Sequence, residues 1–376
     1  TAINERTKRI MAYTTINKSS SFQNQVLYTG NASTNAITGV NFQPDLVWGK
    51  DRGGDRHWWL DSVRGKNGTG YSLLCSNDTS LSSTNYPPDG ITAIGSDGFT
   101  LGANTSNDNG GWSSEINQNS GTYVAWNWKA GTAVSGNTSG SGTYKTYTGS
   151  VNTTSGFSII KYVGNGTAGH TIPHHLGAVP KMIIMKRINA AGGSAGLDAW
   201  QVYHQALGNT KRLVLNSTGA EDASTTYFND TTPTSSVFTL GTGPAGNNTD
   251  YGYIAYCFAD IQGYSKFGSY TGNGNNDGPF VYTGFKPAWI MIKIATGNTN
   301  NWMMYDNQRS LFNLTDKTIE ANNNGAEGTS LGIDMLSNGF KTRVTGNGTN
   351  LSGSTYIYMA FGQSLVGTNN IPNNAR

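Results

Sequence analysis

Apolar residues along this chain fall in short runs, each closed by Gly, Asn, Asp or Ser. Three runs, Leu46-Val-Trp48, Met182-Ile-Ile-Met185 and Trp289-Ile-Met-Ile292, are apolar at successive positions. A strand of that kind must be covered on both faces or pair at the centre of a sandwich. Three others, Tyr123-Val-Ala-Trp126, Tyr253-Ile-Ala-Tyr256 and Tyr358-Met-Ala-Phe361, place an alanine between large side chains. That alanine leaves room for a bulky neighbour from a facing sheet. Thr-Gly-Asn at 29–31 and 271–273, Asp97-Gly98 and Asn338-Gly339 supply the positive φ angles of tight turns. The pattern predicts an all-β chain of short antiparallel strands.

The runs recur in a fixed order. A proline is followed six residues later by a lysine in Pro44–Lys50, Pro180–Lys186 and Pro287–Lys293. An aromatic strand follows each: His57–Asp61, Trp200–His204 and Trp302–Asp306. From each lysine to a later phenylalanine, Phe99, Phe238 or Phe340, is 49, 52 and 47 residues. The prolines lie 136 and 107 residues apart, too far for a propeller blade or solenoid rung and about the size of a domain. This predicts three tandem antiparallel β-sandwich domains of jelly-roll or lectin-like type, with an open barrel as the competitor. The expected boundaries are an N-terminal arm at 1–23, copies at 24–131, 144–260 and 264–363, a Gly/Ser/Thr linker at 132–143, and a polar tail at 364–376. The short junction Asp260–Gly263 holds the second and third copies at a fixed angle.

Composition narrows the class. Charged residues are 12% of 376, about half the usual share, so the polarity comes from Asn, Ser, Thr and 50 Gly. Nine Trp, 19 Tyr and 13 Phe carry too much aromatic surface for a disordered chain. A net charge of +3 is too small and dispersed for a nucleic-acid footprint. Only the start is basic, with Arg6, Lys8 and Arg9 against Glu5, which reads as a solvated terminus or an arm gripping a neighbouring subunit. Cys75 and Cys257 fall in different copies and predict no disulfide. No apolar run reaches the roughly 18 residues of a membrane helix, and residues 1–23 lack the apolar core of a secretory signal.

Candidate chemistry is sparse. His170, His174 and His175 are close enough in sequence to suggest a Zn²⁺ or Ni²⁺ site, but no acid sits among them. A half-exposed loop is the plainer expectation. Asp61 and Asp306 occupy one repeated position, where the second copy has His204, and neither has a nearby second acid for glycoside hydrolysis. Asn107–Gly110 and Asn275–Gly278 fit either a Ca²⁺ loop or a solvated turn. Trp48, Trp126, Trp200, Trp289 and Trp302 match bulky residues in sister copies and read as core. Trp112 breaks the pattern, and alternation along the pair Trp58-Trp59 places one ring on an outer face. These three are the candidates for stacking on a sugar, with packing at an interface as the alternative. The expectation is a non-enzymatic protein without cofactor or metal.

Tyr28-Thr-Gly-Asn31, Phe42–Trp48, Asp61-Ser-Val-Arg-Gly65, Tyr123–Lys129, Trp200–His204 with Leu207-Gly208, Thr234–Leu240 and Gly263–Gly272 together resemble a repeat of virion proteins from marine tailed phages, of cyanophage and pelagiphage type. Met11-Ala-Tyr-Thr-Thr-Ile16 resembles the opening of such proteins, so the likeness runs from about residue 11. It implies a tail-fibre or appendage subunit, assembled into virions in the host cytoplasm and displaying loops for host-surface glycans. The family brings no defined catalytic or binding residues. The implied partners are other virion proteins, copies of the same chain and a surface glycan, without nucleic acid or membrane insertion. A capsid decoration or cement protein is the alternative, ahead of a secreted glycan-binding module or glycan-active enzyme.

Overall fold

Each of the three doubly apolar strands lies inside a large antiparallel sheet, and the three sheets share one strand order. In the computed structural model, which describes residues 14–364 apart from 69, 80–89, 104–111, 190–198 and 330, the first sheet runs Gln23–Thr29, Thr122–Trp128, Leu46–Asp51, His57–Asp61, Leu73–Leu74. The second repeats it as Phe157–Val163, Gly252–Phe258, Met182–Arg187, Gln201–His204, Lys211–Val214, and the third as Ser265–Thr271, Thr355–Gly362, Pro287–Ile294, Met303–Asp306, Ile319–Glu320. Cross-strand pairs fix the equivalences: Leu46 opposes Asp61, Met182 opposes His204 and Trp289 opposes Asp306. All these pairings are antiparallel, and none of the described sheets closes into a barrel.

Alternation along these strands explains why they are apolar at every position. One face of each large sheet meets a three-stranded sheet of its own repeat. Val47, Trp58, Leu60 and Ala125 pack with Ile37, Ile91 and Phe99. Ile183, Met185, Tyr203 and Ala255 pack with Ile172, Phe238 and Leu240, and Ile290, Ile292, Tyr305 and Ala360 with Val281, Ile333 and Phe340. The opposite faces of all three large sheets converge on a single shared cluster. It contains Trp48, Trp59, Trp126 and Trp128 of the first repeat, Ile184, Trp200, Tyr256 and Phe258 of the second, and Trp289, Met291, Trp302 and Phe361 of the third. Each ring buried there contributes about 4–6 kcal/mol of transfer free energy, from 150–250 Å² at 25 cal/mol per Å². Volumes are shared out between repeats: Trp48 stands where the others have Ile184 and Met291, and Trp289 where they have Leu46 and Met182. Close packing at the centre therefore depends on all three repeats together.

Polar contacts lock this core in a cyclic order. His57, Trp200 and Trp302 are equivalent. The His57 Nε2–H donates to the Glu320 carbonyl (3.0 Å), Trp200 Nε1 to Cys75 (2.8 Å) and Trp302 Nε1 to Val214 (3.1 Å). The acceptors are equivalent too, each following the residue opposite Trp59, Val202 or Met304. The first repeat thus reaches the third, the second the first, and the third the second. A second set spans the same three boundaries, with the donor on the opposite side at the boundary of the second and third repeats. Trp126 Nε1 donates to Asp306 Oδ2 (2.9 Å), the Tyr256 hydroxyl to Asp61 Oδ2 (2.8 Å), and the His204 Nε2–H to the Tyr358 carbonyl (3.2 Å). Two of the repeated lysines join the pattern: Lys186 donates to Thr79 O (3.2 Å) and Lys293 to Thr218 O (3.0 Å). At the third boundary the ion pair Arg52–Glu327 (2.8 Å) does this work instead, and Lys50 stays within its own repeat.

Within each repeat a Tyr–Asn knot fixes the turn after the first strand. Tyr28 stacks on Tyr123, Tyr162 on Tyr253 and Tyr270 on Tyr356. Buried Asn117, Asn247 and Asn350 each accept the backbone N–H of Asn31, Asn165 or Asn273, and each donates to two carbonyls. The preceding glycines, Gly30, Gly164 and Gly272, have no alternative, because a Cβ would come within 2.1, 2.3 and 2.3 Å of a carbonyl oxygen.

Three expectations are corrected. Residues 132–143 do not form a linker: Thr132–Asn137 pairs with Thr146–Asn152 at an edge of the second sheet, and Ser139–Gly140 pairs with His170–Pro173. Ladder bonds come from the backbone, so a strand at a sheet edge needs few core-forming side chains. In the third repeat the equivalent of Tyr123-Val-Ala-Trp126 is Tyr356-Ile-Tyr-Met359, two residues before the aromatic string that resembles it. The arm is partly core: Ile16 is buried in the shared cluster, and Ser20 N donates to Ser364 Oγ (3.1 Å), so the two ends of the described chain meet. Arg6, Lys8 and Arg9 of the arm, and tail residues 365–376, lie outside the described residues.

Trp126→Phe keeps a six-membered aromatic ring but removes the pyrrole ring and with it the donor to the buried Asp306 carboxylate. We expect it to destabilise the protein by about 1–3 kcal/mol, read as a shift in the urea midpoint.

Candidate functional site

Side chains singled out by sequence mostly turn out to be structural. Trp58 and Trp59 are 0% and 1% exposed, so neither offers a ring to a sugar. Trp58 faces the first repeat's own core and Trp59 the shared one; a sheet covered on both sides has no outer face. Trp112 opens the helix Trp112–Asn117 that delivers Asn117 to its knot, but its side chain lies outside the described residues.

The histidines diverge instead of converging. His170 Nδ1 meets Asn247 Oδ1 (2.9 Å) and its Nε2 meets Thr138 Oγ1 (2.7 Å). His174 Nε2 donates to Thr234 O (3.1 Å), and His175 Nε2 meets the Tyr147 hydroxyl (2.8 Å). His170 and His174 are buried, not half exposed. Among the described residues no group of three or more His, Cys, Asp or Glu side chains is placed to hold a metal ion. Asp61 and Asp306 are fully buried, and each is paired with the arginine three residues on, Arg64 or Arg309. They brace two different boundaries of the cyclic core and do not share a groove. In the Asn275–Gly278 turn, Asn275 Oδ1 accepts Asp277 N (2.8 Å) and the Asp277 carboxylate pairs with Lys341 (2.7 Å). Asn107–Gly110 lies outside the described residues. Cys75 and Cys257 are free and buried, and burial pushes both thiols up to about 12.

Departures from threefold likeness on the surface point elsewhere. In the three-stranded sheets the equivalent strands are Asn35–Ile37 in the first repeat, His170–Pro173 in the second, where Ser139–Gly140 flanks it, and Phe280–Tyr282 in the third. Ile37, Ile172 and Val281 are equivalent, each opposite Phe99, Phe238 or Phe340. Outward neighbours of that position are Ala36 and Thr38, then Thr171 and Pro173, but in the third repeat Phe280 and Tyr282. Those two rings are 46% and 61% exposed. Beside them Lys341 lies opposite Phe280, Gly339 opposite Tyr282, and Asp334 opposite Lys341. The loop Leu311-Phe-Asn-Leu314 of the same repeat also exposes Leu311, Phe312 and Leu314. An open depression of about 730 Å³ lies between Asn276, Asp277, Asn313, Leu314, Asp334 and Arg343. Sequence reading missed Phe280 and Tyr282, although the period-2 string Phe-Val-Tyr after Asp-Gly-Pro carries the signal.

Burial holds His204 down at about 4, opposed by its bond to the Tyr358 carbonyl, and burial likewise holds His174 at about 4. Both lie below the unfolded value of about 6.5. The unfolded chain therefore takes up protons between pH 6.5 and 4 that the folded chain refuses. Stability from these groups is complete above pH 6.5 and drains away toward pH 4, by on the order of 3 kcal/mol for His204. Urea unfolding at pH 7 and pH 5 measures the loss, and His204→Gln should flatten it.

None of the curated proteins compared with the chain matches it. A family model described as a domain of unknown function, DUF7483, matches residues 18–364. That span begins just before the first large sheet and ends just after the third, so the family unit is the whole three-repeat core rather than one repeat. The chain belongs to the DUF7483 family.

Proposed function

We propose that this protein is a structural component of a phage virion, a tail-fibre or appendage subunit whose three repeats are tandem jelly-roll or lectin-like sandwiches. Its role is to hold one recognition face toward the host surface, in company with other virion proteins and further copies of itself. The observation that carries this reading is the inequality of the repeats: among the described residues a near-threefold scaffold keeps its core in all three, and this strand bears an exposed aromatic pair in the third repeat and not in the other two. A fixed scaffold bearing one distinct face is what a passive recognition module requires, because binding groups work best when rigid elements hold them in place. The sequence likeness to marine phage virion proteins supplies the setting. The two acids that suggested hydrolysis brace the core, and the two that line the third repeat's depression, Asp277 and Asp334, are held in ion pairs with Lys341 and Arg343.

A cryo-EM map of the particle that carries this chain tests the proposal. The expected result is density for the chain in a tail or appendage with the Phe280–Tyr282 face pointing outward. Density flat on the capsid lattice, with that face against the shell, overturns it in favour of a decoration protein.

A further inference from the structure

The outer face of the third repeat has a chemistry specific enough to name its ligand. We infer that Phe280 and Tyr282 form a stacking platform for the pyranose rings of an uncharged hexose glycan, with the polar rim of the same sheet bonding its hydroxyls. Residues two apart on a strand point the same way, so both rings stand on one face while Val281 between them enters the core. The floor beside them is flat. Gly339 lies opposite Tyr282, and a Cβ there would come within 3.0 Å of the Phe280 ring and 2.1 Å of the Val281 carbonyl. Aromatic faces of this kind take the C–H side of a sugar while the wet edge of the ring stays solvated.

Charge selects an uncharged sugar. Lys341 pairs with Asp277 at 2.7 Å, and Arg343 pairs with Asp334 at 3.1 Å and reaches Asp277 at 3.5 Å. Two cations answer two carboxylates, so the rim has no net charge to draw in a polyanion, yet it presents N–H donors and carboxylate acceptors that suit sugar hydroxyls. The depression between Asp277, Leu314, Asp334 and Arg343, about 730 Å³, falls within the usual size of a small-ligand site and has space for further sugar units. The sister repeats act as internal controls: the same sheet there bears Ala36 and Thr38, or Thr171 and Pro173, and no platform.

This inference rests on the recognition reading above and gives it a ligand class. The test uses the full chain and a variant, Phe280→Ala with Tyr282→Thr, which copies the first repeat's outer face onto the third. Saturation-transfer NMR is run with neutral oligosaccharides of glucose, galactose and mannose, and with sialylated and uronic-acid oligosaccharides for comparison. The expected result is transfer to the ring C–H protons of at least one neutral oligosaccharide, roughly tenfold weaker binding by the double variant, an unchanged thermal midpoint, and binding retained by Tyr282→Phe. Absence of transfer to every neutral sugar, equal binding by the double variant, or binding confined to the acidic sugars each overturns it. The particle map decides the virion reading separately: a subunit located in an appendage that binds no neutral sugar sinks this inference alone.

Discussion

Trp200 and Trp302 each extend an indole N–H across a boundary between repeats onto a backbone carbonyl, and His57 does the same with its imidazole. These three equivalent bonds rim a shared cluster to which all three large sheets give a full face. Withdrawing one repeat would expose the part of that cluster it covers and separate an indole or imidazole donor from its carbonyl partner at each of its two boundaries. The freed donors and carbonyls would meet water, so the loss is chiefly one of apolar burial, at about 25 cal/mol per Å² exposed. The sheets are therefore bound by a constraint that no single repeat can satisfy, and a family unit spanning residues 18–364 is what that constraint requires.

A cyclic scaffold of this kind tolerates exchange between repeats as long as the sum is kept. Large rings move among equivalent positions, as with Trp48 against Met291, or Trp289 against Met182. The Asp–Arg brace of the first and third repeats gives way to His204 in the second, which meets a carbonyl instead of accepting from an indole or hydroxyl. Such changes alter the acid stability of one boundary without altering the fold. Outward positions are free of this bookkeeping, so a change there reports on use rather than on folding. Phe280 and Tyr282 stand out for that reason: exposed aromatic rings in a pair contribute little to the core and suit contact with a ligand.

Much of the architecture could be read from residues alone. Spacing from proline to lysine and on to phenylalanine located the three repeats, and the doubly apolar strands required cover on both faces. What the second cover would be was not legible, because a sandwich predicts one solvent-facing side and here that side is the shared core. Trp58 and Trp59 were misjudged as candidate sugar contacts for that reason alone. The closing strand of the third repeat was misaligned by two residues, a shift that keeps every side chain on its own face and so leaves the hydrophobic pattern intact. In the knot, Tyr162-Val-Gly-Asn165 hides its kinship with the two Tyr-Thr-Gly-Asn strings behind one substitution, and the partner asparagines show themselves only when the carbonyls they bind come together. His57, His204, Asp61 and Asp306 likewise acquire their roles from another repeat, which no local motif records.

Differential scanning calorimetry of the intact chain tests most directly whether the shared core makes the three repeats one unit. A single transition whose calorimetric and van't Hoff enthalpies agree is the predicted result. Two or three resolved transitions, with one repeat melting while the others stay folded, would contradict it.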